Sequence, residues 1–333
     1  MKIAFFDVEE WEKVYFQDHL TDHSLYFCNT SLTKDNLREA QGAEVLSTMV
    51  FSQLTKELLS QLPDISLITT RSTGFDHIDL EYCREKKITV CNVPEYGANT
   101  VAEHTFALIL ALSRKIIPSA ERTRQGNFSL DGLRGFDLYG KTFGVVGLGH
   151  IGKAAVRIAK GFGMNVIVFS RSPDAHLADE LAVRFVDLPT LLSESDVISL
   201  HVPLTRETRH LINKENILHC KKGSILINTA RGGVVDTEAV LLGLEKGILA
   251  GAGLDVLEEE CFIKEETQLL TDEFLKECDI KTQLLNHVLL KKKNVIITPH
   301  NAFNSAEALG RILSVTLQNI TSCIEGKITN RVV

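Results

Sequence analysis

The segment Gly147-Leu148-Gly149-His150-Ile151-Gly152 constrains this chain more than any other. An apolar stretch of strand length, residues 141–146, precedes it, and a helix-forming run, residues 153–160, follows. A second short apolar run occupies residues 164–169. Glycines recur in many turns, so a GxGxxG by itself decides little. One that closes a strand, opens a helix and lies within a βαβ unit of about 30 residues is the dinucleotide fingerprint. Gly147 permits the tight turn, Gly149 lets the backbone approach a pyrophosphate, and Gly152 lets helix and strand pack closely. His150 and Ile151 lie at the pyrophosphate turn. The helix start offers N–H groups and the positive end of its dipole to the phosphates. The competing reading is a structural βα turn that binds nothing.

A chain of 333 residues suits two domains of roughly 150 residues each. Its hydrophobic content of 44% is ample for two full cores, and its net charge of −7, without a long basic block, argues against a nucleic-acid surface. The seven cysteines are scattered, with no CxxC and no Cys/His cluster, so neither a disulfide framework nor a metal site is expected. The N-terminus turns acidic at Glu9, Glu10 and Glu12, unlike a signal peptide. No apolar run approaches the ~18–20 residues of a membrane span. These features predict a cytoplasmic protein with no membrane partner.

Short apolar runs alternate with helix-like stretches throughout. Residues 2–6, 25–28, 45–47, 65–69 and 88–91 read as strands, with helices at 33–39, 53–60 and 80–85. Residues 101–114 read as one helix, apolar on more than one face and so buried between domains or subunits. Residues 125–139, polar and glycine-rich, read as a connector. A second α/β layer begins at Lys141, with later strands at 183–186, 197–200, 224–228, 252–256 and 295–298. Residues 267–293 form a helix-prone insertion with no assignable role. The predicted fold is α/β: a Rossmann-type dinucleotide-binding domain at 100–299 and a smaller flavodoxin-like α/β substrate domain at 1–99 and 300–333. A substrate would meet the nicotinamide in the cleft between them.

Several long motifs occur in a characteristic order. They are Arg71-Ser-Thr-Gly-Phe-Asp-His-Ile-Asp79, Asn92-Val-Pro-Glu-Tyr-Gly97, Val101-Ala-Glu-His104 and the glycine fingerprint. Then come Asp196-Val-Ile-Ser-Leu-His-Val-Pro203, Leu226-Ile-Asn-Thr-Ala-Arg-Gly-Gly233, Gly253-Leu-Asp-Val-Leu-Glu-Glu-Glu260 and Ile297-Thr-Pro-His-Asn-Ala302. Over nearly its whole length the chain resembles the D-isomer-specific 2-hydroxyacid dehydrogenases, and most closely their D-lactate dehydrogenase branch.

Hydride transfer to a 2-oxoacid needs a clamp on the carboxylate, a proton for the carbonyl oxygen, and alignment of the reacting carbons. Arg231 follows a strand directly, where ligands bind in such sheets, and its planar fork suits a carboxylate. His300 follows the last strand, and imidazole titrates near neutrality, so it suits the proton transfer. The resemblance implies that Glu260 hydrogen-bonds His300 and favours its imidazolium. Glu258 and Glu259 are rivals by type; the family spacing of five residues after Asp255 selects Glu260. The resemblance also places backbone N–H groups of Thr73 and Gly74 on the substrate carboxylate, and Tyr96 and Phe303 beside a small side chain such as that of pyruvate.

For the cofactor, the resemblance assigns Val202, Pro203 and Thr208 to the adenine side. Thr229, Ala230 and Arg231 go to the nicotinamide side, with Asp255 on the carboxamide. One position departs from the NAD pattern. The acidic residue expected about 20 residues after the glycines is replaced by Ser170, followed by Arg171-Ser172. Loss of that charge removes repulsion of a 2′-phosphate, and Arg171 could bind one. NADP(H) or dual use is therefore expected. In the alternative, Arg171 stacks on adenine and Asp174 or water serves the ribose. The favoured activity is a D-2-hydroxyacid dehydrogenase reducing pyruvate, with glyoxylate or hydroxypyruvate reductase as the alternative. A different class, a cofactor-sensing corepressor-like binding protein, shares the fold. Relatives pair through the region of residues 101–114, so a homodimer is expected.

Overall fold

The computed structural model describes residues 1–258 and 279–333. The chain divides into two compact units, Met1–Tyr96 with Asn304–Val333, and Gly97–Phe303.

The first unit is built on a parallel five-stranded sheet of order β2-β1-β3-β4-β5. Its strands are β1 (Lys2–Phe5), β2 (Ser24–Phe27), β3 (Val45–Thr48), β4 (Leu67–Thr70) and β5 (Thr89–Cys91). β3 and β4 are buried at every residue, as strands covered on both faces must be. Helix α1 (Glu10–His19) lies on one face, where Phe16 joins Ile3, Phe5 and Leu67 in a core. Helices α2 (Lys56–Leu59) and α3 (Leu80–Lys86) lie on the other, with Leu58, Leu59, Tyr82 and Cys83 against Ala4, Leu46 and Ile68. Asp79 starts α3 by accepting from the Tyr82 N–H at 2.9 Å.

The expected helix at 33–39 is not formed; only a 3₁₀ turn, Leu37–Ala40, appears there. Asn36 accounts for this. Its side chain accepts from the Thr33 N–H at 2.8 Å and donates to the Ser31 carbonyl at 2.8 Å, a local closure that competes with a helix.

The second unit begins with α4 (Ala98–Ser113) and α5 (Ile116–Arg124), separated by Lys115 in a left-handed conformation. Its parallel sheet has the order β12-β11-β10-β9-β6-β7-β8. The strands are β6 (Thr142–Val146), β7 (Asn165–Phe169), β8 (Arg184–Phe185), β9 (Val197–Leu200), β10 (Ser224–Asn228), β11 (Leu249–Leu254) and β12 (Val295–Ile297). α4 and α6 (His150–Gly161) cover one face. α7 (Ala175–Leu181) lies on that same face, where its Leu181 packs with Val156, Ala159 and Val168, and the other face carries α8 (Leu188–Glu194), α9 (Thr237–Glu245) and α10 (Ile280–Leu290). The chain returns to the first unit as α11 (Ala306–Ile324), whose Leu313 and Ile320 pack with Phe16.

The apolar content of α4 is consumed inside its own unit. Ala102, Phe106, Leu108, Ile109 and Leu112 are buried with Val145, Ala155 and Ile227. The exposed apolar side chains of this region instead follow it, at Ile116, Phe128, Leu130 and Tyr139. Both sheets have the doubly wound order, and in the second the order reverses between β6 and β9. Crevices at such reversals are where ligands bind. Among the described residues no helix is long and apolar enough to cross a membrane.

Candidate active site

The fingerprint turn leaves β6 at that reversal. Gly147 has φ +97°, and a Cβ there would stand 2.6 Å from the His201 carbonyl oxygen and 2.7 Å from Val202 Cγ1. A Cβ at Gly152 would stand 2.2 Å from the Gly147 carbonyl oxygen. Both positions are closed to any larger residue. Gly149, which caps α6, is the opposite: a Cβ there would meet nothing within 4 Å. The turn is therefore locked from behind and open in front, at a helix start with no acidic residue in its first turn. That combination fits a pyrophosphate.

The loop after β9 is equally braced. Thr208 Oγ1 donates to the Pro203 carbonyl at 2.6 Å and accepts from the Thr205 N–H at 2.7 Å. Beside it, His201 Nε2 meets Ser199 Oγ at 2.9 Å, while its Nδ1 is buried with no hydrogen-bond partner. Burial pushes this imidazole down to about 4. The unfolded chain therefore takes up the proton first as pH falls below the ordinary histidine value. His201 is expected to withdraw stability between about pH 6.5 and 4, by on the order of 3 kcal/mol at most. Urea unfolding of wild type and His201→Gln at pH 7.5 and 4.5 checks this. A smaller pH-dependent loss in the variant is expected, and equal losses would refute the assignment.

Ser170, just after β7, is half-buried, and Arg171 is exposed. Arg171 lies within electrostatic reach of Glu207, whose carboxyl is held low chiefly by the Thr205 hydroxyl. Asp174 is committed elsewhere: it caps α7, accepting from His176 N at 2.9 Å and Leu177 N at 3.2 Å.

Three neighbouring strands, β10, β11 and β12, carry the remaining residues of this unit at their carboxyl ends. After β10, buried Asn228 closes the loop that presents Arg231. Its Oδ1 accepts from Ala230 N, and its Nδ2 donates to the Arg231 carbonyl, both at 3.0 Å. The Arg231 Nη1 donates to the Ala230 carbonyl at 2.9 Å. Gly232 is required because a Cβ there would stand 1.8 Å from the Leu257 carbonyl oxygen. After β12, His300 sits at φ +51°, a conformation uncommon outside glycine and asparagine. Its N–H bonds the Asp255 carbonyl at 2.8 Å and the Thr298 carbonyl at 2.9 Å.

Asp255, 1% exposed, organises that loop. Its carboxylate accepts from Thr298 Oγ1, Asn301 N at 3.0 Å and Ala302 N at 2.9 Å, and lies 3.4 Å from His104 Nε2. Burial alone would raise its pKa, but the hydrogen bonds from His104, Thr298, Ala302 and Asn301 outweigh it and hold the carboxyl below its ordinary value. Sequence reasoning assigned Asp255 to the cofactor carboxamide and did not anticipate this scaffold. It missed Thr298 and His104 too, although both stand inside motifs it singled out.

Of the acidic candidates for His300, Glu260 lies outside the described residues, as do Glu259 and the first part of the 267–293 insertion. Glu258 is buried, and its carboxylate bonds His210 Nε2, Thr237 N at 3.2 Å and Thr237 Oγ1 at 3.1 Å. It is fully employed away from His300. Phe303 closes this unit.

In the first unit, Thr73 Oγ1 donates to the Val93 carbonyl at 2.7 Å, and Asn92 Nδ2 donates to the Thr73 carbonyl at 2.8 Å. Ser72 Oγ donates to the Gly74 carbonyl at 2.6 Å. These bonds fix the Thr73-Gly74 backbone, while Arg311 Nε donates to the Tyr96 carbonyl and ties α11 to that loop. Beneath Ser72 lies Arg71, fully buried. It donates to Ser47 Oγ at 3.0 Å and, through Nη2, to the Phe6 and Asp7 carbonyls at 2.7 Å, with its Nε 3.5 Å from Glu12. One guanidinium thus stitches the carboxyl ends of β1, β3 and β4.

A doubly wound parallel sheet with a glycine turn open at its switch point, and an arginine and a histidine at the ends of β10 and β12 on either side of β11, fits a dinucleotide-dependent oxidoreductase. Residues 106–302 match the model of the D-isomer specific 2-hydroxyacid dehydrogenase NAD-binding domain. The D-lactate dehydrogenase of Escherichia coli is 37% identical, over 98% of each chain. A glyoxylate reductase of Thermococcus litoralis is also 37% identical, over 88% of this chain and 84% of its own. The crystal structure of D-lactate dehydrogenase from Aquifex aeolicus, complexed with NAD and lactic acid, superposes with a TM-score of 0.87. It is 40% identical and covers 97% of this chain and 96% of that one. The chain belongs to the D-isomer-specific 2-hydroxyacid dehydrogenase family, on its D-lactate dehydrogenase branch.

Proposed function

We propose that this oxidoreductase works mainly as a 2-oxoacid reductase, with pyruvate and D-lactate its favoured pair. The observation that carries the reading is the delivery of Arg231 and His300 from β10 and β12 on loops closed by Asn228 and Asp255. Arg231 clamps the substrate carboxylate through its planar fork. His300, as imidazolium, gives a proton to the carbonyl oxygen and is left neutral; oxidation runs the transfer backwards. A nicotinamide cofactor, when bound, would supply the hydride. Gly147, Gly149, His150, Ile151 and Gly152 hold its pyrophosphate, and Val202, Pro203 and Thr208 line the adenine side. Thr229, Ala230 and Asp255 belong to the nicotinamide side. Glu260 is the acidic partner of His300, Thr73 and Gly74 give backbone N–H groups to the carboxylate, and Tyr96 and Phe303 border the methyl pocket. The Thermococcus litoralis relative supports glyoxylate as the second substrate.

NADPH is accepted alongside NADH, because Ser170 leaves no carboxylate to repel a 2′-phosphate and Arg171 stands exposed beside it. Reduction of pyruvate, glyoxylate and hydroxypyruvate with either cofactor tests both statements. Ser170→Asp is expected to lower kcat/KM with NADPH by about 10- to 100-fold relative to NADH, the effect of one like charge of about 1–3 kcal/mol. An unchanged NADPH/NADH ratio would sink the cofactor assignment. Tight NADH binding with no turnover on any 2-oxoacid would favour the corepressor-like alternative.

The protein works in the cytoplasm as a homodimer. Phe128, Leu130 and Tyr139 are 76%, 82% and 82% exposed, apolar side chains that a second copy would cover. Light scattering is expected to give twice the 37.0 kDa chain mass, and Phe128→Asp with Leu130→Asp to halve it. A wild-type monomer would refute the dimer.

A further inference from the structure

Two consecutive residues of α4 reach the loops that carry Arg231 and His300. His104 Nε2 stands 3.1 Å from Thr298 Oγ1 and 3.4 Å from the Asp255 carboxylate. Thr105 Oγ1 stands 3.0 Å from Thr229 Oγ1, both buried. The proton count fixes the direction of each bond. Thr298 gives its only hydroxyl proton to Asp255, so His104 Nε2 must be protonated and donate to Thr298. Thr105 gives its proton to the Val101 carbonyl at 2.9 Å, so Thr229 must donate to Thr105. The Arg231 loop is closed by its own Asn228, and the His300 loop is held by Asp255 from the end of β11, whose N–H also bonds the Asn228 carbonyl at 2.9 Å. Among the described residues, α4 is an element bonded to both.

We propose that His104 and Thr105 form a two-armed bracket that sets the Arg231 loop and the His300 loop at their working separation. They are positioning residues and touch neither substrate nor cofactor. This rests on the reading of Arg231 as clamp and His300 as proton donor. α4 suits the task because its neighbouring residues, Ala102, Phe106, Ile109 and Leu112, are locked in the core. A rigid helix turn holding two separate loops can fix a geometry in which a shift of about 1 Å costs on the order of 100-fold in rate.

The test compares His104→Phe and Thr105→Val with the conservative pair His104→Gln and Thr105→Ser. Four readouts are taken: melting temperature, NADH affinity, kcat and KM for pyruvate, and amide hydrogen exchange. His104→Phe is expected to lower kcat by about 10- to 100-fold with NADH affinity kept within about 2-fold. It should also speed exchange at Asn301 and Ala302, whose N–H groups bond Asp255. Thr105→Val should act on kcat in the same way but speed exchange at Ala230. His104→Gln keeps a donor and Thr105→Ser keeps the hydroxyl, so both should recover most of the rate. Equal losses in the disruptive and conservative variants, or unchanged exchange at both loops, would overturn the bracket. Should the wild type turn over no 2-oxoacid, the proposed activity fails, and the exchange pattern alone still decides for or against the bracket.

Discussion

Replacing His300 by asparagine is expected to lower kcat for pyruvate reduction by on the order of 10²- to 10⁴-fold, the range for loss of a positioned proton donor. Asparagine is the informative substitute because His300 occupies φ +51°. Asparagine tolerates that conformation, so the loop bonded to Asp255 keeps its shape. Alanine at the same position also loses the proton donor but adds a backbone penalty of roughly 1–2 kcal/mol. The two variants should therefore share the collapse in kcat and differ in melting temperature, with alanine the lower. NADH affinity should survive in both, since the fingerprint turn is built on β6 and α6. Retention of kcat within about 10-fold in His300→Asn would remove His300 from the proton transfer.

The largest loss of stability is expected at Arg71. Arg71→Met removes a fully buried guanidinium and strands the Phe6 and Asp7 carbonyls together with the Glu12 carboxylate, 7% exposed. Breaking a buried pair from one side costs about 3–5 kcal/mol. Urea unfolding at pH 7.5 measures it. The sign of the pH effect follows from Glu12. Burial already raises its pKa, against the pull of Arg71. Without Arg71 it rises further, and the protonated carboxyl needs no counter-charge. The penalty should therefore shrink as pH falls toward 5. A penalty under about 1 kcal/mol, or one that grows on acidification, would contradict the reading of this cluster.

What was legible in the sequence follows from what leaves a local trace. The glycine fingerprint, the strand ends before Arg231 and His300, and the short buried strands are all written in contiguous residues, and the structure has them. Helix α1 left little trace: its buried residues are only Glu12 and Phe16, on a segment that reads as acidic surface. α5 was hidden because Lys115, left-handed, breaks what otherwise looks like a continuation of α4. The roles of Arg71, His104 and Asp255 depend on partners 24 to 194 positions away, such as Arg71 with Ser47 at 24, Asp255 with Ala302 at 47 and His104 with Thr298 at 194. Pattern alone cannot supply such pairings. It marked the motifs as important and left open what each side chain grips.

The way the two units share the chain has a consequence for biosynthesis. Gly97–Phe303 is contiguous, whereas the other unit is completed only by Asn304–Val333. On the ribosome, the inserted unit has all its strands before α11 exists. The earlier segment must wait, with Ile3, Phe5 and Leu67 lacking the Leu313 and Ile320 that cover them in the finished core. The nucleotide-binding half thus has the means to fold first, and the half with the first strand is the last to close, with its apolar face exposed to chaperones in the interval.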